Sequence, residues 1–165
     1  MYDNYCTQPH QTAAAKLVIA MVARTYYGSD KTVQEFAAML DEENELHDVD
    51  HFQHVYSGDK GCFLVALDDD RLVGTGALKP FTEHVAELKR VWLLEEYHGQ
   101  GIGYRLIMGL FEFARQVGYK RICLQTGIEQ KRAIAFYKRI GFIEIPTYNE
   151  NPYDDDISLQ IDLNQ

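Results

Sequence analysis

The sequence predicts an α/β fold of the α+β kind, a mixed β-sheet with helices packed against it. Three observations lead there. The first third is helix-type sequence. The next stretch switches to paired apolar runs around a turn. The middle holds a strand that passes through closely spaced glycines into a helix. The element order read along the chain is α-α-β-β-β-α-β-α-β-β.

Each element has its own reason. Ala13 to Tyr26 is rich in Ala, Leu and Met, and a second helix is expected from about Lys31 to Leu40, before an acidic stretch. Gly61 to Leu67 and Arg71 to Leu78 are apolar runs flanking Asp68-Asp-Asp70, a hairpin signal. Gly74 and Gly76 inside the second run suggest a bulge or a close backbone approach. His84 to Leu94 fits a third strand. Gly99, Gly101 and Gly103 follow, then a helix in which Leu106, Leu110, Ala114 and Val117 recur at helical spacing and Gly118 acts as a stop. Arg121 to Thr126 reads as a short buried strand. From Gln130 an amphipathic helix sets Ala133, Tyr137 and Ile140 on one face. Lys138 and Arg139 lie in its last turn and Gly141 caps it. Phe142 to Ile145 and Ile157 to Leu163 close the chain as strands.

A chain of 165 residues is near the usual size of one domain, so a single domain over 1–165 is expected: helices over 1–58, a core over 60–147, and a loop and strand over 148–165. With 46% hydrophobic and 25% charged residues it is ordinary globular material. A net charge of −9 disfavours nucleic acid and anionic membrane as non-specific partners. Cys6, Cys62 and Cys123 are odd in number and form no CxxC pair, against a disulfide scaffold or a thiolate zinc site. Reduced thiols, no basic cluster at the start and no apolar run long enough for a bilayer make a cytoplasmic location the expectation.

The charge is uneven. Between His98 and Gly141 eight bases face two acids, a net +6, and the remainder carries −15. A polyanionic ligand on the basic part fits this asymmetry, and so do solvated basic helix faces.

The segment Val91-Trp-Leu-Leu-Glu-Glu-Tyr-His-Gly-Gln-Gly-Ile-Gly-Tyr-Arg-Leu106 runs strand, glycine turn, helix. The first turn of a helix leaves backbone N–H groups unpaired and carries partial positive charge, and glycines let an anion approach closely. Three phosphate ligands compete. A nucleoside-triphosphate loop needs Gly-Lys-Ser/Thr, but Gly103 is followed by Tyr104 and Arg105. A dinucleotide fingerprint needs a third glycine and a downstream acid, and both are missing. The third is the diphosphate of coenzyme A.

His98-Gly-Gln-Gly-Ile-Gly103 resembles the Gln/Arg-x-x-Gly-x-Gly/Ala motif of the GNAT superfamily of N-acetyltransferases. Glu87-Leu-Lys-Arg-Val-Trp-Leu93 resembles the strand before it. Gln130-Lys-Arg-Ala-Ile-Ala-Phe-Tyr-Lys-Arg-Ile-Gly-Phe142 resembles the superfamily's second cofactor motif. The resemblance covers Gly61 to about Ile145. It implies a GNAT fold, a mostly antiparallel mixed sheet of about six or seven strands flanked by about four helices. His98 departs from the motif's Gln or Arg; most of that motif's contacts are backbone N–H groups, so the anion site is expected to survive the change.

The resemblance implies acetyl-CoA as co-substrate and an amine as acceptor, with no metal. It places the cofactor at Val91, Trp92, Leu93, His98, Gly99, Gln100, Gly101, Ile102, Gly103, Tyr104, Gln130, Ala133 and Tyr137, and implies a bulge around Val91 to Leu93 that splays the sheet so that pantetheine can pair with the freed strand edge. Arg105, Lys131 and Arg132 are candidates for the adenosine 3′-phosphate. Tyr137 matches the tyrosine whose hydroxyl lies near the thioester sulfur, and is the expected acid. An attacking amine must lose a proton. Glu87 is the expected catalytic base, on the same face as Val91 and Leu93 if the strand is unbulged, acting through water; Glu83 and His84 are alternatives.

The expected reaction is acetyl transfer to a primary amine of a small molecule or amino acid by direct attack in a ternary complex. Transfer to protein N-termini or lysines, a non-catalytic acyl-CoA sensor and a nucleotide-binding enzyme are the rivals. A homodimer is compatible with all of these. His47, His51 and His54, with Asp48 and Asp50 between, share one face if they lie on a single helix. They lack the HExxH pattern and read as an exposed or interface histidine face. Tyr26 and Tyr27, and Asp154 to Asp156 after Tyr148 and Tyr153, are candidates for the acceptor end.

Overall fold

The computed structural model describes residues 9–56, 58–149 and 155–163, with side chains described from Gln11 onward. Cys6, Tyr153 and Asp154 lie outside the described residues. The elements are α1 (Pro9–Tyr26), α2 (Val33–Glu42), α3 (His47–Asp50), α4 (Phe52–Val55), β1 (Cys62–Asp68), β2 (Arg71–Pro80), β3 (Val85–Leu93), a single 3-10 turn (Glu95–Tyr97), α5 (Ile102–Gln116), β4 (Arg121–Gly127), α6 (Lys131–Arg139), β5 (Ile143–Ile145) and β6 (Asp156–Asp162). The strands form one six-stranded sheet in the order β1-β2-β3-β4-β6-β5, in which only β3 and β4 run parallel.

About four helices were expected, and the described residues hold six. The two extra are four-residue turns in the acidic stretch, α3 and α4. They break the single helix that would align the three histidines. His51 sits between them at φ −109°, ψ 31°, so His47 and His51 stack at 4.2 Å while His54 belongs to the next turn. Helix α2 starts two residues later than expected because Thr32 caps it. The Thr32 N–H donates to Glu35 Oε2 at 2.8 Å and the Glu35 N–H donates to Thr32 Oγ1 at 3.2 Å, a reciprocal capping box.

Strand β1 alternates its buried side chains between two cores. Phe63 and Val65 join Val18, Ile19, Phe36 and Leu40 under α1 and α2. Cys62 and Leu64 join Leu106, Ile107, Leu110 and Phe111 under α5. A strand covered on both faces needs apolar residues at every position, which is why the run from Cys62 to Ala66 shows no polar alternation. Helices α1–α4 therefore cover one face of the sheet, and α5 and α6 the other.

Gly76 keeps β2 close to α5. A Cβ there would meet Leu110 Cδ1 at 3.1 Å and Leu106 Cδ2 at 3.2 Å. Gly76→Ala is therefore expected to overpack this contact and lower stability by about 1–3 kcal/mol. The urea midpoint measures it; an unchanged midpoint means the α5 leucines yield freely.

Two features of β3 position the site. First, Thr75 pairs with Trp92 but Ala77 pairs with Lys89, so β3 carries one extra residue opposite Gly76. This is a β-bulge, and Arg90 within it adopts φ +56°. For a residue with a Cβ that conformation costs about 1–2 kcal/mol. Second, β3 pairs with β4 only from Val85–Arg121 to Glu87–Cys123. Beyond that point the two strands diverge, while β4 remains fully paired with β6 on its other edge.

The bulge itself is what the family resemblance implies around Val91 to Leu93, and it changes the face expected for Glu87. Ala86 and Leu88 belong to the core under α5, so Glu87 between them faces the N-terminal helices. The extra residue flips the alternation. Val91 packs against the α5-side core and Trp92 against the α1-side core. Glu87 and Val91 thus lie on opposite faces of the sheet.

A candidate acyl-carrier and acceptor site

The divergence leaves Leu88–Leu93 of β3 without a partner on its β4 side, a free edge roughly 20 Å long at ~3.3 Å per residue. Both strands run parallel, so their carboxyl ends, and the starts of α5 and α6, lie at the same open end of this gap. That is where ligands of open α/β sheets gather.

The turn after β3 is built to expose amides. Gly99 (φ +78°) and Gly101 (φ +76°) are left-handed, and Gly101 is the N-cap of α5. The first bond into the helix is Arg105 N–H to Gly101 O at 3.0 Å. Among the described residues, the N–H groups of Gly99, Gln100, Gly101, Ile102, Gly103 and Tyr104 donate to no backbone carbonyl. A Cβ at Gly99 or Gly101 would meet nothing within 4 Å. The glycines are there for their backbone conformation, and the space beside them is open. A cluster of free amides at a helix start fits a diphosphate.

Side chains brace this turn from below. Tyr97 donates its hydroxyl to Asp68 at 2.7 Å, Arg71 pairs with Glu96 at 3.1 Å, and Gln100 donates to Glu96 O at 2.9 Å. His98, the departure from the motif, lies with Nε2 3.0 Å from the Leu93 carbonyl. A carbonyl only accepts, so Nε2 carries the proton. The ring ties the glycine turn to the end of β3. Its Nδ1 and the Trp92 Nε1 are buried with no hydrogen-bond partner among the described residues.

On the α5 side of the sheet, Tyr137 of α6 is 7% exposed and packs edge-on against Phe142 at 5.4 Å. Burial pushes its hydroxyl well above the ordinary tyrosine range. No partner for that hydroxyl occurs among the described residues. Ala133 is half-buried against the same core.

On the opposite face, Glu87 is 4% exposed and pairs with Lys79 Nζ at 3.1 Å. Its Oε1 accepts from Tyr148 Oη at 2.8 Å. Burial first, and then the Glu87 charge, push the Tyr148 hydroxyl far up. Cys123, the last β4 residue paired with β3, is pushed up to about 11 by burial. The Tyr26 hydroxyl, at the end of α1, lies where a Cβ on Gly127 would approach it to 3.0 Å, and burial together with Glu129 and Asp156 raises its pKa. Gln130, the N-cap of α6, hydrogen-bonds to it.

The sequence reading did not foresee Lys79, Thr75, Asp48 or Arg90 as part of this region. Arg90 was the visible signal, a base that follows Lys89 directly before the apolar end of a strand. Among the described residues no group of three His, Cys, Asp or Glu side chains is placed to hold a metal ion. No helix there is long and apolar enough to cross a membrane.

Residues 25–142 match the Acetyltransferase (GNAT) family. This chain belongs to the GNAT family of acetyltransferases. It is an acyltransferase by that membership. The probable N-acetyltransferase camello of Xenopus laevis is 32% identical over 154 residues, covering 90% of this chain and 68% of that protein. The chain spans 57–68% of the length of the camello relatives from the two Xenopus species. An acetyltransferase from Streptococcus agalactiae 2603 superposes on this GNAT chain with a TM-score of 0.81 at 24% identity, over 97% of this chain and 96% of that one. The PaiA N-acetyltransferase from Thermoplasma acidophilum, solved in complex with coenzyme A, gives a TM-score of 0.74 at 18% identity over 98% and 99% of the two chains. At these identities the solved structures speak for the GNAT fold.

Proposed function

We propose that this GNAT chain moves the acetyl group of acetyl-CoA to a primary amine of a small molecule or amino acid, by direct attack in a ternary complex. The observation that carries the reading is the gap between β3 and β4, which is flanked on its two faces by different chemistry: a carboxylate on the N-terminal helix side, and a buried, protonated hydroxyl on the α5 side. The diphosphate is held by the amides of Gly99–Tyr104, and the pantetheine arm and thioester carbonyl use the free β3 edge around Val91, Trp92 and Leu93.

The chemistry divides between the two faces. The amine nitrogen attacks the thioester carbon, forming the C–N bond as the C–S bond breaks. The nitrogen's proton passes to Glu87 through a water or through Tyr148, whose hydroxyl already donates to that carboxylate. The departing sulfur takes a proton from Tyr137. The carbonyl oxygen, negative during attack, is met by backbone amide on the β3 edge. The acids Glu129 and Asp156 beside Tyr26 support a cationic acceptor.

Calorimetry with acetyl-CoA tests the cradle, and thiol release with a panel of small amines, amino acids and peptide N-termini tests the transfer. With a responsive amine, Glu87→Gln is expected to lower kcat about a hundredfold near neutral pH and leave coenzyme A affinity within twofold. Full activity in that variant removes Glu87 as the base. No heat with acetyl-CoA from folded protein ends the proposal.

A further inference from the structure

We infer that Arg90 is a positioning residue, which the N-terminal helices use to set the β3 bulge and so to aim the strand edge that receives the pantetheine arm. The inference rests on the acetyl-CoA reading above. Three observations on this residue combine. It holds φ +56° inside the bulge, a conformation its own Cβ opposes. Its carbonyl accepts from the buried Thr75 hydroxyl at 2.7 Å. Its guanidinium reaches across to α3, donating from Nε to Asp48 Oδ2 at 2.9 Å, and from Nη2 to Asp48 Oδ1 at 2.6 Å and to Glu45 O at 2.7 Å.

Asp48 is not free to choose other partners. It also accepts from the Tyr56 hydroxyl, which is in the core. Although burial opposes its charge, the Arg90 hydrogen bonds hold the Asp48 carboxyl below the usual range. A planar guanidinium on a carboxylate, with a third donor on a carbonyl, fixes orientation as well as distance. The side chain and the carbonyl of one strained residue are thus clamped from two directions. The residues immediately after it, Val91 to Leu93, belong to the stretch without a partner on the β4 side.

A strap that merely fastened α3 to the sheet needs no particular backbone at residue 90. A strap that holds the bulge does, and glycine separates the two, because glycine adopts the left-handed conformation without opposition. The test compares Arg90→Ala, Arg90→Gly and Asp48→Asn by calorimetry at 25 °C, with thermal melting to establish folding. Two probes are used: coenzyme A, which carries the pantetheine arm, and 3′-phosphoadenosine 5′-diphosphate, which lacks it and meets only the glycine cradle. Arg90→Ala is expected to weaken coenzyme A about tenfold, Arg90→Gly to recover at least half of that loss on a logarithmic scale, and all variants to bind the arm-less probe within twofold of wild type. Asp48→Asn is expected to weaken coenzyme A at least threefold, and decides the matter if the Arg90 variants do not fold. Equal losses for the two probes, Arg90→Gly no better than Arg90→Ala, or coenzyme A affinity unchanged throughout each overturn the inference while leaving the acetyl-CoA reading intact. Wild-type protein that binds neither probe overturns both.

Discussion

Gly101→Asp will fold with a melting temperature close to wild type and will lose coenzyme A affinity by at least about a hundredfold. Position 101 has φ +76° and ψ 2°. Among residues with a Cβ, Asp and Asn tolerate that region best. A Cβ there meets no heavy atom within 4 Å, so no neighbour has to move. Aspartate is also a preferred N-cap residue, and its charge opposes the helix dipole favourably. The remaining strain of about 1 kcal/mol is offset in part by about 0.3–1 kcal/mol from a carboxylate at the positive end of the helix. The same carboxylate, however, sits on the amides that the diphosphate needs. A charge-assisted hydrogen bond contributes roughly 1.5–3 kcal/mol, and like charges about 4 Å apart add roughly 1 kcal/mol of repulsion even in water. Losing one such bond and gaining that repulsion comes to roughly 2.5–4 kcal/mol, at or above the about 2.7 kcal/mol that corresponds to a hundredfold. Gly101→Asn is the control. It has the same shape and no charge, and is expected to retain most of the affinity. A melting temperature near wild type together with affinity for coenzyme A within tenfold of wild type excludes the cradle as the diphosphate site. Gly103→Asp is the weaker experiment, because a Cβ there comes within 3.8 Å of Leu93 and mixes packing with charge.

The parts of this site that were legible in the sequence are the local ones. The spacing of Leu106, Leu110 and Ala114 gave α5 its buried face, and glycines ahead of it announced a turn needing left-handed backbone; both depend on residues within a few positions of each other. The faces of β3 were not legible. Alternation predicts them only for a continuous strand; the family resemblance implies a bulge around Val91 to Leu93, but nothing in Lys89-Arg-Val-Trp92 itself fixes where the extra residue falls. The bulge is imposed by the partner strand, where Gly76 admits it, and by Asp48, 42 residues away. For the same reason Asp48 read as one acid in a solvated, histidine-bearing stretch, although its carboxylate is half-buried and bound by the Arg90 guanidinium. Tyr148 was visible as a candidate for the acceptor end, but its hydrogen bond to Glu87, 61 residues back, follows only from the way β5 returns the chain across the sheet.

Tyr137→Phe is expected to lower kcat by about a hundred- to a thousandfold, the usual size of a general-acid contribution, with coenzyme A affinity within twofold and a melting temperature equal to or slightly above wild type. The packing of Tyr137 explains its position without any chemistry. The ring lies among Phe136, Phe142 and the core under α5, and a phenylalanine satisfies all of those contacts. Packing does not explain the hydroxyl. The hydroxyl makes no hydrogen bond to the described residues, and it is not one of their buried, unpartnered polar atoms, so it keeps access to solvent, where a partner that arrives with the substrate can meet it. Burial also sets its protonation. The ionised form is the charged one, desolvation disfavours it, and the pKa rises above the ordinary ~10. The proton is therefore present throughout the neutral range, and ionisation of Tyr137 adds no falling limb to kcat below about pH 10. A leaving thiolate, with a parent pKa of about 8.5, is stabilised by such a donor most when the bond to sulfur is nearly broken. That is why the loss appears in kcat and not in ground-state affinity. A variant that keeps wild-type kcat with a responsive amine assigns Tyr137 to the core alone and requires the sulfur's proton to come from solvent.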